Sequence, residues 1–137
     1  MTLPDTNHAN ESATVPILRL GDTLVTGLLN ELDDKQATAL AEELTARIAE
    51  DRARGVLLDI SRLEIIDSFV ARALMELSTM AQLLGARVIV AGMRPSVAIT
   101  LVELGIELTG VETALNAEEG MSALGWHRTR DGRGSGE

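Results

Sequence analysis

Two short runs, Val56-Leu57-Leu58-Asp59-Ile60 and Arg87-Val88-Ile89-Val90-Ala91, are apolar almost without alternation. A strand of that kind is covered on both faces, which calls for a sheet flanked by crossover helices. The segments around the two runs supply those helices. Ala37, Leu40, Ala41, Leu44 and Ile48 recur at helical spacing, and so do Val70, Ala73, Leu74, Leu77, Ala81 and Leu84. Asp33 stands where the N-cap of the first helix belongs, with acidic neighbours suited to the positive end of its dipole. Arg52 and Arg54 suit the negative end, and Gly55 is read as the stop; Gly85 ends the second helix.

The remaining elements follow from turn chemistry. Val15–Leu20 and Thr23–Leu29, joined at Gly21-Asp22, predict a hairpin. Ser61–Ile66 is a connecting loop, and the second helix begins near Asp67-Ser68. Gly92-Met93-Arg94-Pro95 turns into a third helix with Pro95 at or near its first position, where a missing N–H costs nothing. Ala98, Leu101, Val102 and Gly105 are expected to share its buried face. Val111–Ala114 reads as a short edge strand, and a last helix starts at Asn116 or Ala117 and runs to Leu124. The order ββαβαβα(β)α predicts an α/β domain. Its mixed sheet would have four to five strands, with about four helices packed mainly on one side.

That domain is expected over residues 15–124. The polar, aperiodic segment 1–14 is expected to be disordered, and the Gly- and Arg-rich segment 125–137 to be a flexible tail. Trp126 either pins the start of the tail or is simply a partly exposed ring near the chain end.

Composition narrows the chemistry. With 137 residues the chain holds one ordinary domain. It has no Cys, which removes disulfides, thiolate metal sites and cysteine nucleophiles. Its two histidines, His8 and His127, lie in the polar terminal segments, away from any core triad or zinc site. One Trp, one Phe and no Tyr disfavour base-stacking nucleic-acid modules. A net charge of −9 repels phosphate backbones and anionic membranes. No apolar run is long enough to cross a membrane, and the first residues lack the pattern of a secretory signal, so a cytoplasmic location is expected. No cofactor or metal is expected.

No phosphate-cradling loop and no nucleophile elbow is present. The single lysine, Lys35, falls in the first turn of an acidic helix, which argues for charge pairing rather than catalysis. The segment that stands out is Ile65-Ile66-Asp67-Ser68-Phe69-Val70, between a buried strand and a helix. Asp67 is placed to cap that helix, and Ser68 falls in its first turn, where a hydroxyl is accessible. Ser68 is therefore either an ordinary helix-start residue or a phosphoacceptor.

Several stretches resemble STAS-domain proteins, and among them the RsbS-like antagonists of the bacterial stressosome, in the anti-sigma factor antagonist family. They are VPILRLGDTLV, ELDD, GVLLDIS, IIDSFVAR, RVIVAGMRPSVAITLVELGI and ETALNAEEGM, about 110 residues in one order. The resemblance implies a non-enzymatic scaffold and switch. Ser68 falls at the family's phosphorylatable serine with Asp67 before it, and Thr100 where stressosome paralogues carry a second phosphorylatable threonine. Phe69 and Val70 replace the small residues that follow the serine in single-partner anti-sigma antagonists. That departure favours the stressosome branch, and the short segment before the first strand argues against a paralogue with an N-terminal sensory domain. The implied partners are an RsbT-like serine kinase, sensor-bearing RsbR-like paralogues, a phosphatase acting on the phosphoserine, and further copies in a dimer and a large complex. Two alternatives remain: an anti-anti-sigma module with one anti-sigma kinase as partner, and a STAS module that binds a nucleotide or small molecule.

Overall fold

The computed structural model describes residues 15–28 and 32–126. The expectations for segments 1–14 and 127–137, for the end of the second strand at Leu29 and for Asn30-Glu31 lie outside the described residues, as do His8 and His127. Five strands and four helices follow in the order β1 (Ile17–Leu20), β2 (Thr23–Gly27), α1 (Asp34–Asp51), β3 (Gly55–Asp59), α2 (Ser68–Leu83), β4 (Arg87–Ala91), α3 (Pro95–Glu103), β5 (Glu112–Ala114) and α4 (Ala117–Ala123). The sheet order is β1-β2-β3-β4-β5. β1 runs antiparallel to β2, and the other neighbours are parallel, in register Leu24↔Val56↔Val88 and Leu58↔Val90↔Thr113.

Strand alternation divides the core between the two sheet faces. Leu24, Val56, Leu58, Val88 and Val90 join the apolar side chains of α1, α2 and α3 in the larger cluster. Leu57, Ile89 and Ala91 point the other way, under Ala117, Met121 and Leu124 at α4. Three helices thus cover one face and a short one the other, which is why β3 and β4 show no polar alternation. Gly120 lets α4 lie this close: a Cβ there would sit 2.5 Å from Leu57 Cδ1.

Three details differ from the sequence reading. Gly55 does not stop α1; it is the first residue of β3, where a Cβ would meet Leu124 Cδ2 at 2.8 Å. Arg52 ends the helix instead, in the left-handed region (φ 54), with its N–H donating to the Ile48 carbonyl. On α3 the core residues are Val97 and Leu101, whereas Val102 is 78% exposed. Leu84, expected on the stripe of α2, is also exposed.

Candidate functional site

Ser68 follows a loop that is held from both sides. The chain leaves β3 at Asp59, whose carboxylate accepts a hydrogen bond from the Ser61 N–H at 3.0 Å. The Ile60 N–H donates to the Ala91 carbonyl and the Leu63 N–H to the Ile60 carbonyl. The far side of the loop is tied to the start of α3. Arg94 Nε donates to the Ser61 carbonyl at 2.8 Å, and Ser96 Oγ donates to the Glu64 carbonyl at 3.2 Å. Gly92 permits this approach: its φ is +76, and a Cβ there would lie 2.7 Å from Ser61 Cβ. Leu63 and Ile66 anchor the loop in the core, while Glu64 and Ile65 stay exposed.

The loop delivers the first turn of α2. Asp67 is the N-cap, in extended conformation, and its Oδ1 accepts from the Val70 N–H at 2.8 Å. This satisfies one of the donors that a helix start leaves open. Ile66 before the cap and Ala71 in the following turn are both buried in the same cluster, the arrangement of a hydrophobic staple that fixes the entry angle. Ser68 is the first helical residue and is exposed; its hydroxyl makes no hydrogen bond to any described residue. Phe69 and Ile65 flank it, 47% and 63% exposed.

The start of α1 opens on the same side. Asp33 and Gln36 form a capping box, with Asp33 Oδ1 accepting from the Gln36 N–H at 2.7 Å and the Gln36 side chain accepting from the Asp33 N–H at 3.1 Å. Leu32, Asp33, Asp34, Lys35, Gln36, Ile65 and Asp67 together line an open groove between the two helix starts. Among the described residues Lys35 is its only cation, and no described acid pairs with it.

Thr100 stands apart. It lies on α3, is half-buried, and its Oγ1 donates to the Ser96 carbonyl one turn back at 3.0 Å. Ser96 links the two positions, because its own hydroxyl reaches the loop that precedes Ser68. Arg94, Ser96 and Gly92 are the supporting residues that sequence reasoning missed. The MRPS stretch marks them only as a turn.

At the opposite end of the sheet, Arg87 holds Glu112 through Nε–Oε2 and Nη2–Oε1 contacts of 3.0 and 2.7 Å, and Arg87 Nη1 donates to the Ala123 carbonyl. The Arg87 hydrogen bond keeps the Glu112 carboxyl below its ordinary range, and Glu112 in turn raises Arg87. This is an exposed strand-edge pair, remote from Ser68. Among the described residues no group of His, Asp or Glu is arranged to hold a metal ion, and no helix is long and apolar enough to cross a membrane.

The family model of the STAS domain matches residues 15–118. The chain belongs to the STAS family. Within it, this STAS chain is similar to a glutamate-for-serine variant of Moorella thermoacetica RsbS, at 42% identity and a TM-score of 0.73, covering 80% of this chain and 93% of that one. It is also similar to a chain in the molecular architecture of the stressosome, a signal integration and transduction hub (38% identity, TM-score 0.67, 80% and 95% covered). Among curated proteins it is 30% identical over 114 residues to the RsbT co-antagonist protein RsbRA of Bacillus subtilis strain 168, which covers 82% of this chain. The chain spans 42% of the length of that relative, whereas it matches RsbS over nearly the whole of RsbS. In sequence the STAS chain is RsbS-like.

Proposed function

We propose that this STAS protein is an RsbS-like anti-sigma factor antagonist that acts as a stressosome scaffold and phosphoswitch. In this reading it holds an RsbT-like serine/threonine kinase and releases it when Ser68 is phosphorylated. The observation that carries the reading is the exposed Ser68 hydroxyl, free of described partners, at the first position of a helix whose entry is fixed by Asp67, Arg94 and Ser96. A rigidly presented, unengaged hydroxyl is what a kinase needs. Its oxygen attacks the γ-phosphorus of ATP, its proton leaves, and ADP departs.

The physics of release follows from the same site. The new phosphate adds about −1.5 to −2 charges at neutral pH. It arrives where Asp67 already occupies the Val70 N–H and where Asp33 and Asp34 line the neighbouring groove. A docked partner face would meet like-charge and desolvation costs of several kcal/mol, roughly, which shifts occupancy by orders of magnitude. Thr100 is the second phosphoacceptor in this reading, and its hydroxyl must first leave the Ser96 carbonyl. RsbR-like paralogues, further copies of this chain and a resetting phosphatase complete the cytoplasmic complex. The similarity to the stressosome chain and to the RsbT co-antagonist RsbRA supports the RsbR-like partners and the multi-protein complex.

The test is incubation with the RsbT-like kinase and ATP, followed by intact-mass measurement. One added phosphate should map to Ser68 and be absent from Ser68→Ala. Ser68→Ala should retain the kinase in a pull-down, and Ser68→Asp should hold it less well at the same salt. Equal retention by the two folded variants would remove the switch.

A further inference from the structure

Arg72 lies four residues after Ser68 on the continuous helix α2, and both are exposed. Residues four apart on a helix are surface neighbours, with Cβ atoms about 5–6 Å apart. Arg72 forms no ion pair with any described residue, although Glu76 stands one turn further on as an available acid. A phosphate at a helix start ordinarily takes the open backbone N–H groups of the first turn. Here Asp67 already holds the Val70 N–H at 2.8 Å, and a second anion there would lie against its carboxylate. The other charged residues on this side are the acids Glu64, Asp33 and Asp34, Lys35 across the groove on α1, Arg62 on the loop itself and Arg94, whose Nε is held on the Ser61 carbonyl. A planar guanidinium one turn down the same helix, with no described acid on it, is therefore a partner that a phosphate on Ser68 can reach without lying against Asp67.

We infer that Arg72 is the internal acceptor of the Ser68 phosphate, binding it in an i,i+4 ion pair that gives the phosphorylated protein its own resting state. This rests on the phosphoswitch reading and adds its regulation. Before phosphorylation Arg72 is not engaged by any described residue; afterwards it draws the phosphate along the flank of α2, away from Asp67. The pairing also accounts in advance for an incomplete mimic: a carboxylate at position 68 carries one charge and lacks the phosphate's reach to the guanidinium.

The experiment uses the full chain with phosphoserine incorporated genetically at position 68, so that it does not depend on any kinase. The second ionisation of the phosphate is followed by phosphorus NMR across pH. Pairing with Arg72 favours the dianion, so in the otherwise native protein the phosphate should titrate below its ordinary value near 6. Arg72→Ala should move it upward, Arg72→Lys should restore part of the difference, and Glu76→Gln, which removes the competing acid, should lower it further. Unphosphorylated Arg72→Ala should melt like the native protein, since an exposed, unpaired side chain carries little stability. Identical titration of the phosphate with and without Arg72 would overturn the inference. A chain that no RsbT-like kinase phosphorylates would instead overturn the parent reading, and the NMR result would still stand as a property of position 68.

Discussion

Ser96 Oγ donates to the Glu64 carbonyl across 3.2 Å, so the first turn of α3 grips the loop that presents Ser68. The bond is exposed and joins positions 32 residues apart. Ser96→Ala should therefore cost little stability, at or below about 1 kcal/mol, the net worth of an ordinary hydrogen bond. Its larger effect should be on presentation. The KM for phosphorylation of Ser68 should rise while the denaturation midpoint barely moves. A midpoint loss with unchanged phosphorylation kinetics would assign the bond to stability alone.

Asp67→Ala removes the cap of α2 and should lower stability by about 0.5–2 kcal/mol, read from urea unfolding. Asp67→Asn keeps an oxygen toward the Val70 N–H and should recover most of that loss. Asn116 and the short helix α4 provide the comparison. Its side chain accepts from the Glu119 N–H at 2.8 Å, and Asn116→Ala should show a cost of the same kind.

Gly92→Ala should be among the most damaging single-methyl additions. It forces an L-residue to φ +76 and drives a Cβ to 2.7 Å from Ser61 Cβ, with Ser61 backbone next nearest. Either the β4–α3 turn or the loop before Ser68 must shift. The expected loss exceeds about 1 kcal/mol, the scale of one strained backbone residue, and kinase capture should fall with it.

Phe69→Ala and Ile65→Ala remove exposed apolar surface on either side of Ser68. Neither should alter the melting temperature. Both should weaken kinase capture, with Phe69 the larger loss at tenfold or more, as expected of an aromatic anchor at an interface. Val102→Ala, still more exposed but on α3, is the control and should capture normally.

The Arg87–Glu112 pair sets a small acid dependence. The folded Glu112 carboxyl lies below its unfolded value, chiefly through the Arg87 hydrogen bond. Its contribution is therefore present above the unfolded pKa, near 4.3, and is lost as pH falls through the folded one. Glu112→Gln should remove that part of the acid slope in a stability–pH profile. Because both groups are exposed, added salt should shrink it too.

The caps at Asp33 and Asp67, and the two doubly covered strands, were legible because each depends on local chemistry or on a run of residues. The buried face of α3 was not. Val97, Ala98, Ile99, Leu101 and Val102 make that nine-residue helix apolar everywhere except on its Ser96-Thr100-Glu103 side, so the apolar arc is too wide for periodicity to place the buried face within it. The choice of Val97 and Leu101 is made by the sheet beneath. Arg52 as a left-handed C-cap was hidden for a similar reason. Gly55 is the residue propensity favours, yet it is needed at the start of β3, where Leu124 leaves no room for a side chain. At the site, local chemistry left Ser68 as either a helix-start residue or a phosphoacceptor, whereas Asp67 could be picked out as a cap from its place before an apolar helix. The grip of Arg94 and Ser96 on the loop could not, because those contacts join segments about thirty residues apart.

Trp126 donates from Nε1 to the buried Thr23 hydroxyl at 3.1 Å, and its ring lies over Gly21 at the hairpin turn. It is the only Trp in a chain without Tyr. The protein's near-ultraviolet emission therefore comes from one address, the end of the sheet where β2 begins, while Ser68 follows the end where β3 finishes. A constant emission spectrum on phosphorylation would mark the switch as a surface event confined to its own edge. A shifted one would mean that the sheet carries news of Ser68 across its whole length.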